Sequence, residues 1–185
     1  MKRIVFLLTA LMIVFTGCAK NPENDPNKPF AGTTINVYNW GDYIAEDTIE
    51  RFTKETGIKV VYETFDSNES MYAKYKSGAV NYDVLIPSDY MIEKLIAENE
   101  LLPLNFDNIP NYKYIDDTFK NLEYDPDNTY SVPYFWGTLG ILYNTKMVDE
   151  EVDSWDILWD SKYKGQIIMM ESVRDSFAVA LKRLG

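Results

Sequence analysis

The sequence contains no histidine and only one cysteine among its 185 residues, and these absences exclude much of the usual enzyme chemistry. Without histidine the chain lacks the most common general base and a principal ligand of soft metals. A single cysteine cannot form an internal disulfide, and no glycine-rich phosphate-binding loop follows a predicted strand. The sequence therefore predicts neither a metal site nor a cofactor, and it favours binding over catalysis.

Basic residues are also scarce, because 18 lysines and arginines stand against 29 aspartates and glutamates, a formal net charge of −11. Nucleic-acid phosphates need lysine and arginine side chains, so we expect no nucleic-acid partner. Cations are the natural partners of an acidic surface, although such a surface also serves solubility alone. Paired carboxylates could support glycoside hydrolysis, but nothing in the sequence places a pair at the required separation.

The N-terminus has the pattern of a secretory signal. Two basic residues precede an apolar run at residues 4–15, which is too short to span a bilayer comfortably, and small residues then lead to Cys18. A cysteine at this position resembles the acylated cysteine of bacterial lipoproteins. We predict a signal peptide at residues 1–17, a lipid anchor at Cys18 and a flexible linker at residues 18–33, so the body lies outside the cytoplasm on the bacterial cell membrane.

After the linker, short β-rich runs alternate with single helical segments. Strands are predicted at residues 35–38, 58–62 and 83–86, and helices at residues 45–56, 67–77 and 89–99. Strands that alternate with helices form crossover units and a largely parallel sheet, so the sequence predicts an α/β fold.

Beyond residue 105 the pattern is less regular. It predicts three further strands and two further helices: residues 130–134, 139–143 and 166–170, and residues 154–159 and 173–184. We expect a first α/β lobe at residues 34–144 and the start of a second lobe at residues 145–185. The second lobe is expected to be incomplete, because one strand and two helices cannot close a core.

Polar and aromatic side chains follow the predicted strands at the edge of the sheet where ligands usually bind. Seven of them are candidate ligand-binding residues: Trp40, Asp42, Tyr43, Ser88, Tyr90, Glu171 and Asp175. Ammonium groups are attracted to aromatic faces and form strong hydrogen bonds with carboxylates. The set therefore favours an organic cation as the ligand.

Several segments together closely resemble the spermidine/putrescine-binding proteins of ABC importers. They are NVYNWGDYI (36–44), RFTKETGIKVVYETFDSNESMYAK (51–74), YDVLIPSDY (82–90), YSVPYFWGTLGILYN (130–144) and SWDILWDSKYKGQII (154–168). The resemblance implies a two-lobed, type II periplasmic-binding-protein-like fold that closes over a polyamine and delivers it to ABC permease subunits. It also implies a family length of roughly twice this body. We expect the protein to be a monomer.

The resemblance also assigns roles in the first loop. Trp40 is expected to lie along the methylene chain of the ligand, Asp42 to bind a terminal amine, and Tyr43 to form an aromatic wall or accept a hydrogen bond. Gly41 stands where a hydroxyl residue is common, which removes one possible hydrogen bond.

In the other two loops, the resemblance assigns Ser88 a hydroxyl or backbone contact and Tyr90 a second aromatic wall. Asp175 matches a second-lobe carboxylate. The family often has another acid where this chain has Ser172, and Glu171 stands one place earlier.

Other interpretations stay open. The same fold could bind a sugar, an amino acid or ferric ion, and a surface enzyme could use the carboxylates. Trp40 could be an aromatic core residue, and Ser88 a helix N-cap. Glu171 and Asp175, four residues apart, could form a solvated helix face.

Overall fold

A computed structural model describes residues 25–185. The predicted signal peptide and the anchor at Cys18 lie outside the described residues, as does the first part of the predicted linker. Residues 25–33 of that linker form turns, in which the Lys28 amide donates to the Asp25 carbonyl at 2.8 Å. Within residues 25–185, no helix combines the length and the apolar composition that crossing a membrane requires.

The described part of the chain contains three strands and four α-helices. In chain order they are β1 (Thr34–Trp40), α1 (Thr48–Thr56), β2 (Lys59–Phe65), α2 (Asn68–Lys76), β3 (Val84–Leu85), α3 (Asp89–Ala97) and α4 (Val173–Leu184). Five short 3-10 turns lie between α3 and α4. The alternation of strands and helices up to α3 confirms the predicted crossover pattern.

The three strands form one sheet in the order β2-β1-β3. Strands β1 and β3 are parallel, with Val37 opposite Val84 and Tyr38 opposite Leu85. Parallel neighbours place the carboxyl ends of β1 and β3 at the same edge of the sheet. The loops that follow these two strands, which carry most of the predicted site, therefore begin side by side.

The main core packs against this sheet. Its buried residues come from β1, β2, α2 and α3: Tyr38, Phe65, Met71, Met91 and Leu95. The ring of Tyr38 meets Phe65 edge-on at 4.9 Å and stacks on Tyr82 at 4.5 Å. This packing holds the ends of the strands and the starts of the helices in place.

The described residues divide into two compact units, one made of residues 25–34 and 46–60 and the other of residues 35–45 and 61–185. In the first unit, α1 ends at Gly57, as predicted. Gly57 has a φ of +76°, and its amide donates to the Thr53 carbonyl at 2.8 Å. A Cβ on this glycine would lie 2.6 Å from the Cβ of Ala31, so a side chain does not fit.

Three predicted strands are wrong. Residues 130–134, 139–143 and 166–170 have no strand structure. A strand needs a hydrogen-bonded neighbour, and none of these runs has one among residues 25–185. The helix predicted at residues 154–159 is a 3-10 turn, Trp155–Trp159, which Ser154 caps by accepting from the Asp156 amide at 3.1 Å.

Candidate functional site

A cleft of about 450 Å³ lies where the ends of β1 and β3 meet the starts of α2, α3 and α4. Four of the seven predicted residues line it: Trp40, Ser88, Tyr90 and Asp175. The other three, Asp42, Tyr43 and Glu171, do not line this cleft and are exposed to solvent. Eight other residues that line the cleft were not among the predicted ligand contacts: Asn68, Asp89, Glu93, Glu123, Tyr124, Ser172, Arg174 and Ala178.

Trp40 belongs both to the core and to the cleft. Its half-buried ring lies 4.5 Å from the ring of Phe65, and its carbonyl accepts a hydrogen bond from the Tyr62 hydroxyl at 3.3 Å. Trp40 also lines the cleft. The two interpretations of this tryptophan are therefore compatible, because its ring packs on Phe65 of the core and the residue also lines the cleft.

Tyr43 is part of an aromatic cluster beside the cleft. Its ring lies 5.9 Å from Trp40 and meets Phe135 edge-on at 5.1 Å. The Tyr134 hydroxyl donates to the Tyr43 carbonyl, which ties the loop after β1 to residues near 135. This cluster supports the position of Trp40. Asp42 takes no part in the cluster and is exposed to solvent.

Asn68 joins the two sides of the cleft. It is 3% exposed, and its amide nitrogen donates to the Ser88 hydroxyl and to the Tyr90 hydroxyl, each at 2.9 Å. Its side-chain oxygen accepts from the Ser88 amide at 3.0 Å. A buried amide must find such partners, so Asn68 fixes both residues. The sequence offered only a weak indication of this role, namely that Asn68 directly follows Ser67, the N-cap residue of α2.

Ser88 is the N-cap residue of α3, but its side chain makes no capping hydrogen bond. The hydroxyl instead accepts from Asn68, which holds it at the cleft. The interpretation of Ser88 as a simple cap is therefore incomplete, since its backbone begins the helix while its hydroxyl belongs to the cleft.

Tyr90 presents an aromatic face to the cleft and is held by its hydroxyl. The hydroxyl donates to the Glu69 carboxylate at 3.2 Å and accepts from Asn68. Burial raises the pKa of Tyr90, the charges of Glu69 and Asp175 raise it further, and the hydrogen bond from Asn68 opposes them. The tyrosine thus stays neutral, and its ring face attracts a cation.

The start of α4 supplies the opposite wall. The Ser172 hydroxyl caps the helix by accepting from the Asp175 amide at 3.3 Å, which holds Asp175 in the first turn. A carboxylate there is favoured by the helix dipole. Glu171 precedes the cap and is exposed, which explains why it does not share the position of Asp175.

The charge of the cleft is mainly negative. Four acids line it, Asp89, Glu93, Glu123 and Asp175, against one cation, Arg174. Within residues 25–185 no three or more metal-ligating side chains converge on a metal position. Aromatic faces beside carboxylates suit a ligand that carries positive charge and an apolar body.

The fold and the cleft define a class: an α/β protein whose cleft lies at the carboxyl ends of parallel strands, where proteins of this architecture usually bind small molecules. The chain belongs to the bacterial extracellular solute-binding proteins, a family that matches residues 47–185.

Individual relatives are similar over most of the chain. The spermidine/putrescine-binding periplasmic protein of Escherichia coli K12 is 42% identical over 156 residues, which cover 82% of this chain and 44% of that protein. A putative spermidine/putrescine ABC transporter structure from Listeria monocytogenes has a TM-score of 0.79 and 48% identity, covering 82% of this chain and 48% of the other. The TpPotD lipoprotein of Treponema pallidum has a TM-score of 0.75 and 32% identity, with the same coverage.

These similarities confirm the resemblance and the periplasmic-binding-protein-like α/β fold. The chain spans about half the length of the relatives it matches.

Proposed function

We propose that this protein is the extracytoplasmic substrate-binding component of an ABC importer and that it captures polyamines, putrescine or spermidine. The observation that carries the proposal is the cleft itself, in which the rings of Trp40 and Tyr90 lie beside the carboxylate of Asp175. The printed names of the E. coli and Listeria relatives support the same ligand class.

The geometry suggests how a polyamine would bind. Its methylene chain would lie against the ring of Trp40, which is already held by Phe65 and Tyr43. One ammonium group would lie near the ring of Tyr90 and the carboxylate of Asp175. Each aromatic contact with a cation is worth about 0.5–2 kcal/mol, and each hydrogen bond to a charged group about 1.5–3 kcal/mol.

Asp42, Tyr43 and Glu171 enter the proposal differently. Asp42 and Tyr43 stand next to Trp40 in the chain, so a ligand that extends beyond the cleft along this loop would meet them. The residues that complete the family's second lobe would have to close over the ligand, with the ligand's differential affinity for the closed form driving the change. Glu171 would act only after such closure.

The cellular setting is also a proposal. We place the protein outside the cytoplasm, tethered to the bacterial membrane through Cys18 after removal of residues 1–17. The Treponema relative is named a lipoprotein, which supports the anchor. In this role the protein acts as a monomer, passes its ligand to the permease subunits and catalyses no reaction.

Calorimetry on one sample of the full-length protein tests the ligand class. Putrescine and spermidine are expected to release or absorb heat on binding, whereas maltose and glutamate are expected to give none. Heat with maltose or glutamate, and none with either polyamine, would overturn the proposal.

The role of Trp40 has its own test. Trp40→Ala is expected to weaken polyamine binding at least about tenfold, or about 1.4 kcal/mol, because the ring face for the methylene chain is lost. Trp159→Ala is the matched control, since Trp159 is half-exposed and does not line the cleft. An affinity that Trp40→Ala leaves unchanged would assign Trp40 to the core alone.

A further inference from the structure

Arg174 already occupies the aromatic face that a cationic ligand would use. Its guanidinium carbon lies 4.6 Å from the centroid of the Tyr90 ring, within the range of a cation–π contact. Both residues line the cleft, Tyr90 from α3 and Arg174 from the first turn of α4. The protein thus places one of its own cations in the position proposed for a ligand ammonium.

The position of Arg174 is not explained by ion pairing. Among residues 25–185, no carboxylate lies within 4.0 Å of its guanidinium, although the cleft contains four acids. Arg183, at the other end of α4, provides a contrast. Its guanidinium lies 4.5 Å from the Trp159 ring, and it also pairs with Asp156 at 2.7 Å.

The helix dipole adds to this contrast. A positive charge is favoured at the C-terminus of a helix, where Arg183 lies, and disfavoured in the first turn, where Arg174 lies. The contact with Tyr90 is therefore the one cation–π or ion-pair contact that the described residues provide for the Arg174 guanidinium. Such a contact at a solvent-accessible site is weak enough to be exchanged for another cation.

We propose that Arg174 is a specificity-determining residue that occupies the cation position on Tyr90 until a polyamine ammonium displaces it. This inference rests on the proposed function, because the displacing ligand is the polyamine. Displacement costs the guanidinium its contact with the ring and leaves a second positive charge near the bound ammonium. Arg174 therefore lowers the affinity of the cleft for cations, and it lowers it more for the trivalent spermidine than for the divalent putrescine.

Removing the charge tests the proposal. Arg174→Met keeps much of the side-chain length and is expected to tighten putrescine binding by about two- to fivefold, the factor that corresponds to one exposed cation–π contact. The gain for spermidine is expected to be larger. Arg174→Lys keeps the positive charge but loses the planar guanidinium, so its affinity is expected to lie between those of the wild type and Arg174→Met. Unchanged or weaker binding by Arg174→Met would overturn the proposal.

A double variant ties the effect to the ring. In a Tyr90→Leu background, Arg174→Met is expected to give a smaller gain, because the contested ring face is absent and only the repulsion between the guanidinium and the ammonium is relieved. An equal gain in both backgrounds would mean that Arg174 acts through general charge repulsion, and it would overturn the assignment to Tyr90.

A measurement without ligand separates this proposal from the proposed function. The Hδ protons of Arg174 are expected to show an upfield ring-current shift in the NMR spectrum of the unliganded protein, and Tyr90→Leu is expected to abolish it. Saturating putrescine is expected to abolish it in the wild type. If calorimetry shows that neither polyamine binds, the proposed function fails. The displacement of Arg174 is then tested by recording the same NMR spectra with tetramethylammonium chloride in place of putrescine. A shift that persists with the bound cation would overturn the displacement.

Discussion

Asp125 illustrates at the residue scale how a single buried carboxylate organises the loop next to the cleft. It is 3% exposed, and its two oxygens accept hydrogen bonds from the amides of Thr129, Tyr130 and Ser131 at 2.8–3.0 Å. The Ser131 hydroxyl donates to it as well, at 2.8 Å. Four donors on one carboxylate hold the segment that follows Tyr124, a residue of the cleft wall.

Asp125→Asn is expected to lower the free energy of unfolding by about 1–3 kcal/mol. Asparagine replaces one carboxylate oxygen with an NH2 group, so at least one of the four N–H and O–H donors loses its acceptor. Urea denaturation followed by fluorescence measures the change. Asp127→Asn is the control, since Asp127 is exposed and two positions away. Equal stability of the two variants would contradict the role of Asp125.

At the scale of elements, helices α2 and α3 are joined by polar contacts around Glu98, the C-cap residue of α3. The Tyr72 hydroxyl of α2 donates to this carboxylate at 2.8 Å, and the ammonium groups of Lys94 and Lys76 lie 2.7 Å and 3.3 Å away. Hydrogen bonds from Lys94, then from Tyr72 and Lys76, lower the pKa of Glu98 from 4.5 to about 2. Both helices begin at the cleft, so these contacts help to keep its walls together.

This lowered pKa predicts a pH dependence of stability. A carboxylate with a lower pKa in the folded state stabilises the protein fully above its unfolded pKa, and the contribution is lost as pH falls towards the folded value. The difference in thermal stability between the wild type and Glu98→Gln is therefore expected to be largest above about pH 4.5 and to narrow towards pH 2.

Thermal melts between these pH values check the prediction. Glu93→Gln is the matched control on the same helix, because Glu93 is exposed and forms no ion pair with the residues described. A difference for Glu98→Gln that does not depend on pH would show that the carboxylate contributes through packing rather than charge.

At the scale of the whole molecule, charge connects the cleft to its surroundings. The net charge of −11 and the four acids of the cleft have the same sign, so a polycation is attracted both from a distance and in contact. Attraction at a distance is screened by salt, whereas contacts with the Trp40 ring are not.

Polyamine affinity is therefore expected to fall by about tenfold or more when ionic strength rises from about 0.01 M to about 1 M. The loss is expected to be larger for spermidine than for putrescine because spermidine carries more charge. Calorimetry at the two salt concentrations measures it, and Asp175→Asn is expected to reduce the dependence. Affinities that salt does not change would assign binding to the apolar contacts alone.

Short-range patterns in the sequence were enough to predict the first half of the fold. The alternation of strands and helices, the end of α1 at Gly57 and the Ser67 cap of α2 depend on residues close together in the chain. The rule for parallel sheets then brought Trp40 and Ser88 to one edge, and the structure places both at the cleft.

By itself, then, the sequence determined the α/β class, the family and four residues of the cleft, because these follow from local periodicity and from recognisable segments. Only the tertiary structure decided that Asn68 bonds to Ser88, 20 positions away, and that Arg174 lies over Tyr90. It also decided that residues 166–170 form no strand. Side-chain contacts and strand pairing depend on partners distant in the chain, and a local pattern does not identify those partners.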